Sequence, residues 1–200
     1  MESSHFDAVV KVGGSLYEWP HLRKRLRSWL VAEWNSGFGV VLVPGGGRTA
    51  DAVRELDRLH QLGEETSHWL ALRALSLNAH FLASLLPFAR VIEDVEDVEE
   101  TWFAGQTPVL DVHAFARADE GRAGCLPASW SVTSDSLAAR VALAAKSRCL
   151  VLLKSTTIPP SMDWSEAGRL GLVDAMFAEI LRAAPRPFYV HAVNLRAWPD

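Results

Sequence analysis

At 200 residues, with 49% hydrophobic and 22% charged residues, the chain has the composition of one ordinary folded domain with its own core. A formal net charge of -4 leaves no electrostatic footprint for nucleic acid, and the cluster Arg23, Lys24, Arg25 and Arg27 reads as the solvated face of a helix. The two cysteines, Cys125 and Cys149, stand in unlike contexts without a metal-ligand spacing, which excludes a zinc module and points to a disulfide-free chain from a reducing compartment.

In chain order, the opening stretch "MESSHFDAVVKVGG" lacks the basic and apolar regions of a signal peptide, so a cytoplasmic location is expected. The apolar run 8–12 reads as a strand that ends in a turn at Gly13 and Gly14. Residues 20–34 carry Leu22, Leu26, Trp29 and Leu30 at the spacing of a buried helical stripe, with Gly37 as the expected C-cap. A second strand over 38–44 runs into Gly45, Gly46 and Gly47. A helix over 49–63 follows, with Thr49 as N-cap, Val53, Leu56 and Leu59 on one side, and Gly63 as its stop.

The segment 67–86 is apolar on more than one face, at Trp69, Leu70, Leu72, Leu75, Leu77, Phe81, Leu82 and Leu85, and reads as a helix covered on most sides, by its own chain or by a second copy. His68, Arg73, Asn78 and His80 interrupt it too often for a membrane span. A strand is expected over 90–95. Residues 94–130, with Gly105, Gly121, Gly124 and a string of acids, read as solvated loops around one short strand at 108–112. A helix over 133–146 and strands at 149–154 and 187–193 complete the pattern, and residues 193–200 close the sheet. Alternation of this kind predicts a single α/β domain over 1–200, a three-layer α/β/α sandwich with a mostly parallel sheet.

Three turns are candidates for chemistry. "KVGGS" and "PGGGRTAD" lack Cβ atoms where a strand hands over to a helix, so backbone N–H groups can approach an anion at a helix N-terminus; singly, each is better explained by backbone geometry alone. In "TSDSLAARVALAAK", Thr133, Ser134, Asp135 and Ser136 supply more capping groups than one helix end needs, although Asp135 taken alone reads as a cap. Lysine usage adds to this. The chain has 16 arginines but 4 lysines, and Lys11 and Lys154 sit near the carboxyl ends of apolar strands, where an ammonium is costly unless it meets an anion. A parallel sheet puts these strand ends on one edge, so both lysines, both glycine turns and Asp135 are expected to converge there. Two ammonium groups held by one carboxylate suit the negative transition state of phosphoryl transfer.

In their order, "KVGGS", "VPGGGRTAD", "SWSVTSDSLAARVA" and "LVLLKS" resemble the amino acid kinase family over most of the chain. The compact length, "GGGRTADAVR", "HWLAL" and "PASWSVTSDSLAAR" are most similar to its short members, which phosphorylate an aminomethylfuran phosphate in one-carbon metabolism. The resemblance implies an ATP-dependent kinase for a small anionic acceptor, with Mg carried by the phosphates and no metal ligand in the chain. It implies catalytic roles for Lys11, Asp135 and Lys154. ATP contacts are implied at Gly13, Gly14, Ser15, Lys154, Thr156 and Arg169, and acceptor contacts at Gly45, Gly46, Gly47, Arg48, Asp51, Thr133 and Ser134. Residues 1–130 would form the acceptor half and 131–200 the nucleotide half, in a homodimer paired along the 67–86 helix.

Two departures stand out. Where many members carry a Thr-x-Val-Asp-Gly-type loop for the nucleotide, this chain reads "TTIPPSMDW", and Pro159 and Pro160 remove backbone donors. No lysine follows Lys154, so either Arg169 replaces a second lysine or Lys154 serves alone. The expectations therefore run from a phosphate monoester kinase, through a nucleoside monophosphate or carboxylate kinase, to a nucleotide- or oxyanion-binding homologue without turnover.

Overall fold

The computed structural model describes residues 7–34, 39–184 and 189–199. Six strands, β1 Ala8–Val12, β2 Val40–Pro44, β3 Ala89–Ile92, β4 Thr107–Leu110, β5 Cys149–Lys154 and β6 Tyr189–Asn194, form one sheet in the order β3-β4-β2-β1-β5-β6. Every strand pairing among the described residues is parallel, so the carboxyl ends of all six lie along one edge. Parallel neighbours need crossovers. Helices α1 Leu22–Trp34, α2 Gly47–His60, α3 Glu64–Leu85, α4 Val98–Phe103, α5 Val112–Asp119, α6 Ser134–Ala144, α7 Trp164–Arg169 and α8 Phe177–Arg182 run between the strands.

Helices cover both faces, which makes the three-layer α/β/α sandwich expected of the alternating pattern. All five residues of β1 and of β2 are buried, as strands covered on both sides must be. Side chains alternate across the sheet. Val9, Val41, Val43, Leu150 and Leu152 pack with Leu72 and Leu75 of α3, Leu137 and Val141 of α6 and Phe177 of α8. Val10, Val12, Leu42, Val151 and Leu153 pack on the other face with Leu22, Leu26, Trp29 and Leu30 of α1. Full burial of a side chain such as Leu26 stabilises by about 1.5–3 kcal/mol, so the stripe alone accounts for the helix. The long α3 serves both cores, since its Ala79 and Leu82 belong to the second.

Several local expectations change. Of the span 94–130, read as loops around one short strand, the strand is β4 and residues 120–130 are turns and irregular chain as expected, but 95–119 also holds a 3-10 turn over Val95–Asp97 and the helices α4 and α5. Its acids are helix-starting residues: Glu96, Asp97, Glu99 and Glu100 fall in first turns, where the positive end of the peptide dipoles favours them. Asp111 caps α5 by accepting from the N–H of His113 at 2.9 Å and of Ala114 at 3.3 Å, which ends β4 two residues early. Gly46, not Thr49, is the N-cap of α2, and the Thr49 hydroxyl donates to the Gly46 carbonyl at 2.7 Å from inside the first turn. That helix stops at Gln61, whose φ of 51° is left-handed, and Gly63 instead starts α3. Helices α7 and α8 lie where no helix was expected. The Gly37 cap, the outer strand residues Phe38, Pro187 and Phe188, and residues 1–6 of the opening stretch lie outside the described residues.

Candidate active site

The carboxyl edge of the sheet is closed by two glycine turns pressed backbone to backbone. A Cβ on Gly14 would lie 2.1 Å from the Gly47 nitrogen, and one on Gly45 would lie 2.3 Å from the Gly14 nitrogen, so side chains are barred by the approach of the two turns. Gly47 adds a left-handed φ of 55°. Asn78, buried in α3, donates through Nδ2 to the carbonyls of Gly45 at 2.8 Å and Gly46 at 2.7 Å. The Tyr17 hydroxyl accepts from the Gly45 N–H at 2.7 Å, and burial pushes that phenol well above its usual range, so it stays protonated. The turns are thus held from both sides.

Behind them lies the charged centre. Alternation along β1 puts Lys11 on the face covered by α6, and β5 delivers Lys154 to the same face. Asp135, in the first turn of α6, stands between them, with its Oδ1 2.8 Å from Lys11 Nζ and its Oδ2 2.7 Å from Lys154 Nζ. Lys154 also donates to the Leu172 carbonyl at 2.8 Å. Burial works against the ionised Asp135, but the two ammonium groups outweigh it and hold the carboxyl below its usual value. Burial, then repulsion from Lys11, pulls Lys154 down to about 8 despite its carboxylate partner. Two ammonium groups, Lys11 buried and Lys154 partly so, thus meet at one carboxylate, an arrangement that can also receive an incoming anion.

A cleft of about 360 Å³ opens onto this centre. Its inner end is polar, with Lys11, Gly14, Ser15, Gly46, Gly47, Thr133, Ser134 and Asp135. Ala71, Leu72, Leu75 and Leu137 make apolar walls, and Arg54, His68 and Trp130 mark its other polar and aromatic contacts. The expected residues therefore divide. Lys11, Asp135 and Lys154 meet, and Gly14, Ser15, Gly46, Gly47, Thr133 and Ser134 line the same cleft.

Other expected residues point elsewhere. The Gly13 N–H is taken by the Leu153 carbonyl at 2.8 Å, tying β1 to β5 instead of facing a phosphate. Arg48 is exposed and pairs with Glu18, and Asp51 pairs with Arg54 at 2.8 Å; neither lines the cleft. Arg169 is exposed on α7 and pairs with Glu166, while Thr156 is exposed on the bend after β5. The cation that shares Asp135 with Lys11 is Lys154. Ser15 and Ser155 hydroxyls meet at 2.8 Å across the ends of β1 and β5.

Sequence reasoning missed four residues that shape the site: Asn78, Arg54, Trp130 and Asp174. Trp130 donates from Nε1 to Asp57 at 2.8 Å, and the Arg54 guanidinium stands 4.9 Å from the centre of its ring, which fastens the loop before α6 to α2. Two histidines stand near the cleft. His113 is buried beside Trp69, but His68 lines the cleft, its Nδ1 donating to the Ser129 carbonyl at 3.2 Å, and burial keeps its imidazole neutral.

The model of the amino acid kinase family matches residues 8–157. The chain belongs to the amino acid kinase family. Among members of this family, the [5-(aminomethyl)furan-3-yl]methyl phosphate kinase of Methanocaldococcus jannaschii is 29% identical over 133 residues, 64% of this chain and 56% of that protein. The uridylate kinase of Metallosphaera sedula is 30% identical over 105 residues, 51% of this chain and 47% of that protein. The matches thus span about half the length of these curated relatives. Among solved structures, the uridylate kinase of Archaeoglobus fulgidus superposes with a TM-score of 0.62 at 21% identity, covering 95% of this chain and 92% of that one. The UMP kinase of Ureaplasma parvum gives 0.64 at 14% identity, covering 96% and 91%. These likenesses show the family's fold.

Proposed function

We propose that the protein is an ATP-dependent kinase that transfers a phosphoryl group to a small anionic acceptor, a phosphate monoester, to give a diphosphate. The observation that carries this reading is the Lys11–Asp135–Lys154 centre, two ammonium groups fixed by one carboxylate, with Lys11 and Asp135 lining an open cleft. ATP supplies the phosphoryl group. Lys11 and Lys154 neutralise the charge that builds on it, Asp135 fixes both ammonium groups, and the N–H groups at Gly14 and Ser15 face the phosphates. Gly46, Gly47, Thr133 and Ser134 hold the acceptor, whose phosphate is already an anion at neutral pH and needs no general base.

Mg would enter as an ion carried by the ATP phosphates, with no residue of the chain assigned to it. Residues 1–130 form the acceptor half and 131–200 the nucleotide half. The apolar walls favour a compact ring, such as a furan, over a hydroxyl-rich sugar, which ranks an aminomethylfuran phosphate of one-carbon metabolism above a nucleoside monophosphate. No helix among the described residues is long and apolar enough to cross a membrane. Leu70, Leu77 and Phe81 remain exposed along α3 and suit pairing with a second copy.

The test is ADP formation with Mg·ATP over a panel of phosphate monoesters, nucleoside monophosphates and carboxylates, beside Lys11→Ala. Acceptor-dependent turnover with a ring-bearing monoester, reduced about 100-fold or more by Lys11→Ala, is expected. Tight ATP binding without turnover on any acceptor would replace the kinase by a binding protein.

A further inference from the structure

Helix α6 begins with a group of hydroxyls and a carboxylate, yet its own residues do not cap it. Thr133 occupies the N-cap position and makes no side-chain cap bond to the helix. The capping carboxylate comes from the turn between α7 and α8. Asp174 accepts through Oδ2 from the N–H of Thr133 at 3.1 Å, the N–H of Ser136 at 2.9 Å and the Thr133 hydroxyl at 2.8 Å. Its Oδ1 accepts from the Ser136 hydroxyl. Two of the orphan donors at the start of the helix, the N–H groups of Thr133 and Ser136, are therefore met from outside. Asp135, two residues into that helix, is left to face Lys11 and Lys154. Two residues before Asp174, the Leu172 carbonyl accepts from Lys154 Nζ.

We infer that Asp174 is the positioning residue of the paired lysines: the 172–174 turn grips the start of α6 and the tip of Lys154 together, setting where Asp135 and Lys154 meet. This rests on the kinase reading for its catalytic consequence, but the geometry itself is open to test without turnover. Lys154 is faced by Lys11 from β1, Asp135 from α6 and Asp174 from the turn after α7, and the Asp174 charge favours its ammonium form. A cap that served only stability would leave that proton, and kcat, alone.

Asp174→Asn keeps the shape and one accepting oxygen while removing the charge. Asp163→Asn is the matched control, because Asp163 caps α7 through the N–H groups of Ser165 at 2.8 Å and Glu166 at 3.4 Å without entering the lysine centre. Acetic anhydride labelling across pH, read at Lys154 by mass spectrometry, reports its titration independently of catalysis. In the wild type the midpoint is expected at about 8. Asp174→Asn is expected to lower that midpoint by about half a unit or more, and to lower kcat about tenfold with the KM for ATP within about threefold. Asp163→Asn is expected to lower only the melting temperature. Asp174→Glu keeps the charge but displaces the carboxylate; it should hold the midpoint near the wild-type value and still lower kcat, and it serves as the reading if the Asn variant does not fold. Variants of Asp174 that fold with the Lys154 midpoint and kcat of the wild type would overturn the inference. A wild type without turnover on any acceptor would sink the kinase reading, and the labelling would still decide Asp174.

Discussion

Replacing Asp135 by Asn removes the carboxylate that lies 2.8 Å from Lys11 Nζ and 2.7 Å from Lys154 Nζ, while leaving the helix cap to Asp174. Deleting one partner of a buried ion pair costs about 3–5 kcal/mol when the stranded charge has no escape. Lys154 has one. Its ammonium already titrates at about 8, so shedding the proton at neutral pH costs only about 1.4 kcal/mol, the equivalent of one pKa unit. The expected loss of unfolding free energy is therefore about 1–3 kcal/mol at pH 7, less than a rigid buried pair would give.

The pH dependence follows from the sign of the shift. The folded value of Lys154 lies below its ordinary value of 10.5, so the folded state disfavours the proton, and stability rises as pH climbs from about 8 towards 10.5. In Asp135→Asn the folded value falls further and relief begins at lower pH. At about pH 9, where Lys154 is largely neutral in both proteins, the gap between them should narrow by about 1 kcal/mol. Urea unfolding at the two pH values measures this, and an acceptor-dependent ADP assay should show kcat lower by about 100-fold or more with a smaller change in ATP affinity. A gap that is the same at both pH values, or kcat within about threefold of wild type, would refute the reasoning.

Two further outcomes follow. Gly14→Ala places a methyl 2.1 Å from the Gly47 nitrogen and 2.6 Å from its Cα, both backbone atoms that can move only by parting the two turns; a loss of about 1–3 kcal/mol, seen as a lower melting temperature, is expected, and an unchanged one would show that the turns do not need their close approach. ATP phosphates beside Lys154 should raise its depressed value, so near pH 8 binding should draw up to about half a proton from solvent. Calorimetry in two buffers of different ionisation enthalpy reads that uptake, and binding with no proton linkage would remove Lys154 from the phosphates.

What was legible in the chain was whatever repeats at short range. The buried stripe of α1, the apolar runs of β1, β2 and β5 with Lys11 and Lys154 set near the ends of two of them, and the two glycine turns each declare themselves at short range, and together with strand alternation they sufficed for the parallel sheet and for the meeting of Lys11 with Lys154. Residues 95–119 misled because acids such as Glu96, Asp97, Glu99 and Glu100 read as loop when they stood in first helical turns, and helices as short as α4, α7 and α8 are too brief to show a period. The ambiguity at Asp135 was of another kind. Whether it caps its helix or turns to the lysines depends on a carboxylate 38 residues beyond Ser136, in a turn whose local sequence carries no signal. Once Asp174 takes the cap, Asp135 is released for the lysines, and the surplus of hydroxyls at Thr133 and Ser136 becomes the set of donors that Asp174 requires. The same reasoning accounts for Arg48 and Asp51, whose place beside the glycine lip in sequence says nothing of which side of α2 they occupy. Arg54 reaches the cleft from that helix, and Arg48 turns out to Glu18.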